Sequence, residues 1–133
     1  MHGFEELDHT ADWALRVWAP DLKGLFIQAA AGMFWLMGVT VGESTGKEWE
    51  IVVQGPDEET LLVAFLDELL LVNERDQLAL APTRLSIQPD RLSAVCTVAP
   101  VIDQEKEIKA VTFHDLEIRP REGYLETVIV FDV

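Results

Sequence analysis

The feature that most constrains this chain is an order. Strand-patterned segments surround two apolar helical stretches, and consecutive strand segments then run to the last residue. ALRVWA (Ala14 to Ala19) alternates Leu15, Val17 and Ala19 against Arg16 and Trp18, the period of a half-buried strand. FEEL, just before it, reads as a short partner strand. Pro20 stops the ladder, and Asp21 is placed to cap a helix on which Leu22, Leu25, Phe26, Ala29, Met33, Phe34 and Met37 recur at three and four. Gly38 is its natural stop, and the Met and aromatic stripe reads as core rather than as a cofactor site. KEWEIVVQG is the next strand, ended by Gly55 and Pro56. Asp57, Glu58 and Glu59 then put negative charge at the positive end of a second helix, where Leu61, Leu62, Phe65, Leu66, Leu69 and Leu70 form one wide apolar face.

Downstream, LALAPTRLSIQ and RLSAVCTVAP flank Pro89 and Asp90, a good hairpin turn pair, and EIKAVTFHDLEIRP faces YLETVIVFDV across Arg121, Glu122 and Gly123. This order predicts an α+β fold in which two helices pack on one face of a mixed or antiparallel sheet, as a single domain over 1–133. No Gly-rich phosphate loop joins a strand to a helix, so a Rossmann or P-loop reading has no support.

Charge narrows the function. Twenty-four Asp and Glu against ten Lys and Arg give a formal charge of −14, with the basic residues scattered. Phosphate neutralisation needs clustered Lys and Arg, so direct nucleic-acid binding is not expected; this field attracts cations or a basic protein surface. MHGFEELDH has neither the basic flank nor the apolar stretch of a signal peptide, and no apolar run approaches the ~20 residues that span a bilayer. A cytoplasmic location without membrane contact is therefore expected. The lone Cys96 rules out an internal disulfide and a multi-thiolate metal site, and SAVCTVAP suggests a buried, inert thiol.

Three polar clusters could carry chemistry: Asp8, His9 and Asp12 near the start, His114 with Asp115, and Asp132 one residue before the end. Each has an ordinary reading, as a turn cap, a satisfied histidine or a frayed end. VIVFDV changes the balance, because a chain that alternates to its last residue holds its terminus against the sheet. Val133 then adds an α-carboxylate beside Asp132, and with Asp12 these oxygens would suit Ca²⁺, Mg²⁺ or Mn²⁺, zinc being the poorer fit. Sequence periodicity does not itself bring the first and last strands together.

LDHTADWALRVWAPDLKGLFIQAAAGMF, FLDELL, KAVTFHDLEI and the terminal FDV, in that order, resemble the archease family over essentially the whole chain. The resemblance implies an α+β protein that is not itself a catalyst. It would assist the RtcB-type RNA ligase of tRNA splicing and repair, promoting guanylylation of the ligase with GTP and a ligase-bound divalent metal, and so multiple turnover. It also implies a metal site at Asp12, Asp132 and the carboxylate of Val133, with Ca²⁺ the leading candidate. Asp8 and His9 would brace the Asp12 loop. Two departures are visible: Phe113 stands where the family commonly has Tyr, and Trp13 where a small or aliphatic residue is usual.

Two other classes compete. A small metal-dependent hydrolase would use Asp12 and Asp132 for a metal and His9 or His114 as general base, although the chain shows no nucleophile motif. A chaperone-like binder of RNA-processing proteins would need a sizeable exposed apolar patch. Trp13, Trp18, Trp35 and Trp49 could contribute to it, with core burial expected for at least two of them.

Overall fold

A computed structural model describes residues 1–7 and 13–133. Its elements in chain order are β1 (Gly3–Leu7), β2 (Trp13–Ala19), α1 (Leu22–Leu36), β3 (Val39–Val41), β4 (Glu48–Gln54) and α2 (Glu58–Asp76), followed by β5 (Leu78–Gln88), β6 (Arg91–Gln104), β7 (Ala110–Val111), β8 (Arg119–Arg121) and β9 (Tyr124–Asp132). The α+β architecture is the expected one. The strands divide into two sheets, and every described pairing is antiparallel. In the first sheet β9 lies between β2 and the short strands β7 and β8, with β1 beyond β2. In the second, the long β6 pairs with β5 along most of its length and with β4 and β3 near its two ends.

The local signals act where the sequence places them. Asp21 Oδ1 accepts the Gly24 amide at 2.7 Å and starts α1, and Gly38 ends it in the left-handed region at φ 64°. Asp57 Oδ1 accepts the Thr60 amide at 2.8 Å and starts α2. That backbone bond holds the Asp57 carboxyl below its ordinary range, because an amide donor favours the charged form. The β5–β6 hairpin turns at Pro89 and Asp90, with Gln88 opposite Arg91.

One segment departs from expectation. EIKAVTFHDLEIRP is not a continuous strand: only Ala110–Val111 and Arg119–Arg121 pair with β9. Between them Leu116 N–H donates to the Phe113 carbonyl at 3.1 Å, and Asp115 takes φ 50°. Ile118 N–H instead donates to Glu59 Oε2 of α2 at 2.9 Å, a tertiary bond in place of the ladder bond.

The core lies among both sheets and both helices. Phe26 of α1 stacks on Phe65 of α2 with ring centroids 6.1 Å apart, and Leu15, Leu66, Met33 and Phe131 are fully buried around them. Of the stripe on α1, Leu25, Phe26, Ala29, Met33 and Met37 are buried and Leu22 and Phe34 pack against them in part, whereas Trp35, which is not on that stripe, lies outside the core, 58% exposed. Trp13 and Trp49 pack against the core only half-buried and Trp18 lies under the Arg16 guanidinium at 4.4 Å, so none of the four tryptophans is buried in the core as expected for two of them; the large rings are taken up at its margin instead.

Candidate functional site

The end of β9 is held from both sides. On one side, β2 runs antiparallel to it in a register that sets Trp13 opposite Phe131 and Ala14 opposite Val130. On the other, Ala110 lies opposite Asp132, Lys109 N–H donates to the Asp132 carbonyl at 2.8 Å, and Thr112 Oγ1 and N–H both donate to the Val130 carbonyl. Phe131 is fully buried beneath this ladder, while Asp132 is exposed and Val133 is 38% exposed. The terminus is therefore a fixed strand end and not a frayed tail.

Antiparallel pairing puts the start of β2 and the end of β9 side by side at the same end of the sheet. Asp12, Asp8 and His9 lie outside the described residues. Among the described residues, no group of three or more His, Cys, Asp or Glu side chains is placed to hold a metal. The Asp132 side chain offers only hard oxygen donors, a chemistry that fits Ca²⁺, Mg²⁺ or Mn²⁺ rather than a thiolate- or imidazole-seeking ion.

Positive charge borders this strand end. Lys106 Nζ sits 4.7 Å over the Trp13 ring, a cation–π contact, and the Lys106 amide is tied to the Met37 carbonyl. Asp67 of α2 accepts the Val111 amide at 3.3 Å, linking the helix to β7 opposite Phe131. Loss of solvent raises the Asp67 carboxyl above its ordinary range, while the amide acts in the opposite direction. Sequence reading passed over Asp67. Its signal is a carboxylate in FLDELL set between Val63 and Leu70, both buried on the same helix.

His114 is on the exposed turn after β7, its Nε2 3.3 Å from Asp115 and its backbone N–H bonded to Thr112 Oγ1. Phe113 beside it is 57% exposed. Cys96 is buried, and loss of solvent pushes its thiol up to about 11. It is the inert thiol its surroundings suggest.

Fold and strand end together define a class: small α+β proteins with a two-sheet core and a carboxylate-bearing C-terminal strand at the centre of one sheet. The chain belongs to the archease protein family, whose profile matches residues 4–133. It is 29% identical to protein archease of Methanothermobacter thermautotrophicus over the full length of both chains. It is 34% identical to protein archease of Thermococcus gammatolerans over 89% of each chain. The protein archease-like of Drosophila melanogaster shares 32% identity over 86% of this chain and 79% of its own. Among solved structures, the solution structure of a Methanobacterium thermoautotrophicum protein superposes with a TM-score of 0.74 at 29% identity, covering 98% of this chain and 99% of that one. An archease from Thermotoga maritima, described as a possible chaperone, shares the fold with a TM-score of 0.67 at 22% identity, covering 97% and 96% of the two chains.

Proposed function

We propose that this protein is an activator of an RtcB-type RNA ligase, promoting guanylylation and repeated turnover of the ligase while carrying out no ligation itself. The observation that carries this reading is the β2–β9 register: Trp13, which follows Asp12 in the chain, lies opposite Phe131, which precedes Asp132. Asp12, Asp132 and the carboxylate of Val133 would hold one divalent cation, Ca²⁺ first, with waters completing its shell. When bound, that ion supplies a fixed positive charge on an otherwise acidic surface. Asp132 is held by its backbone, and its carboxylate bonds no other described residue, which leaves it able to serve as a ligand.

The charge of −14 also supports a protein partner rather than RNA. A ligase that grips RNA needs a basic rim, and an acidic protein approaches such a rim faster at low salt. The test is covalent GMP labelling of the ligase across a salt series, with and without this protein, paired with an RNA mobility shift using this protein alone. Labelling should accelerate, most at low salt, and RNA should not shift. A labelling rate indifferent to the protein would defeat the reading.

A second reading, a chaperone-like binder, has one specific observation in its favour. An apolar groove of about 470 Å³ runs beside α1, with Phe34, Trp35 and Val41 on its walls and Ala79, Ala81 and Ala99 along β5 and β6. Exposed-surface dye fluorescence that falls in Trp35→Ala, together with a loss of aggregation suppression, would support it. Unchanged suppression in that variant would count against it.

A further inference from the structure

The strongest unassigned feature is a small pocket at the C-terminal end of α2. It holds about 110 Å³, room for more than one water, and lies between the last turns of α2, the end of β6 and the 107–109 segment. Met37, Leu70 and Ile108 form an apolar wall, and Asn73, Glu74 and Glu107 bring acceptors to it.

Asn73 is the informative residue. It is only 5% exposed, and both hydrogens of Nδ2 are committed, to the Leu78 carbonyl at 3.3 Å and to Gln104 Oε1 at 3.0 Å. Gln104 is oriented in turn by its Nε2, which donates to the Lys106 carbonyl. Because Leu78 offers only an acceptor there, the Asn73 amide cannot be reversed. Its Oδ1 takes no hydrogen bond from any described residue, yet it is not sealed from solvent. A polar atom of a buried side chain left without a protein partner takes its donor from water or from a ligand that displaces that water.

We infer that this pocket receives an arginine side chain of a basic protein partner. The guanidinium is a flat fork of donors that meets acceptors on more than one wall, here Asn73 Oδ1 with the carboxylates of Glu74 and Glu107. The methylene stem lies along Met37, Leu70 and Ile108. Lys109 also lines the pocket, but two carboxylates outweigh it, and the chain as a whole carries −14. A bare metal ion is the poorer occupant, since no group of three or more metal-binding side chains exists among the described residues. Lys109, which lines this pocket, donates its amide to the Asp132 carbonyl, so the pocket adjoins the strand end already described. The inference does not depend on which protein supplies the arginine.

The test is an amide NMR titration of the full chain with N-acetyl-arginine methylamide, run beside the lysine analogue at matched ionic strength. Saturable shifts are expected at the Asn73 side-chain NH₂, Gln104 and Glu107. Affinity should be about fivefold weaker for the lysine analogue and for the double variant E74Q/E107Q, as loss of charge-assisted bonds implies. Glu74 and Glu107 are both exposed, so the variant retains the fold, which its thermal melt verifies. Shifts scattered over the acidic surface, equal binding of the two analogues, or unchanged affinity in the double variant would each overturn the assignment. None of these outcomes depends on ligase activity.

Discussion

Trp13, the first residue of β2, lies opposite Phe131, the next-to-last residue of β9, and through that pair the chain's first long strand and its last become neighbours. Phe131 is fully buried, Trp13 is half-buried under the Lys106 ammonium, and the exposed Asp132 follows at once. A buried anchor directly before an exposed carboxylate is a way to present a ligand rigidly. The cost of ordering that strand end is met by the core.

From this relationship, Asp132→Ala should weaken Ca²⁺ or Mn²⁺ binding by about tenfold or more, because a hard cation loses a charged oxygen donor. The melting temperature should move by less than about 2 °C, since the Asp132 backbone bonds remain and its side chain faces water. Calorimetric titration beside a thermal melt checks both. A large fall in melting temperature with unchanged ion affinity would mark Asp132 as structural.

Gly32→Ala sets two effects against each other. Alanine in a helix interior is worth about 1 kcal/mol over glycine. A Cβ at this position, however, would meet Leu15 Cδ2 at 2.6 Å and Phe4 Cγ at 2.9 Å. Leu15 is fully buried and a ring carbon has little room to move, so overpacking of about 1–3 kcal/mol should win and the variant should lose stability. Urea unfolding at constant m-value gives the sign; a gain would show that α1 can shift off β2.

The Arg16 guanidinium grips Glu126 by two bonds, Nε to Oε1 at 3.0 Å and Nη2 to Oε2 at 3.3 Å, from positions 110 residues apart. This pairing holds the Glu126 carboxyl below its ordinary range, while partial loss of solvent acts the other way. A depressed folded-state pKa contributes stability above the unfolded value of about 4.3, and that contribution is lost as pH falls through the lower folded value. Glu126→Gln should therefore cost about 0.5–1 kcal/mol at pH 7, with the gap to the parent closing as the pH falls below the unfolded value and through the lower folded one. Denaturant midpoints of both proteins at several pH values measure this, and a gap independent of pH would assign the cost to packing.

Cys96 should resist thiol reagents at pH 8 in the folded protein, because burial pushes its thiol up to about 11 and shields it from attack. Its labelling rate should rise with denaturant in step with global unfolding. Rapid labelling under native conditions would reveal local opening of the β5–β6 hairpin.

What the sequence determined by itself was local. Asp21 and Asp57 cap their helices, Gly38 ends α1, and Pro89 with Asp90 turns the hairpin, because each acts through bonds to residues a few positions away. Family membership was legible for a different reason: the stretches around DHTAD, FLDELL, KAVTFHDLEI and FDV are read in order along the chain whatever their contacts. Tertiary structure decided what depends on distant partners. The split into two sheets, the pairing of β2 with β9, the break after Val111 and the open acceptor of Asn73 all depend on which faces are buried together. Alternation marks one side of a strand as apolar, yet it carries no label for the strand that will lie beside it. Only simultaneous burial of Leu15, Phe131 and the two helices selects that register, since a slip by one residue would turn each apolar side chain toward water.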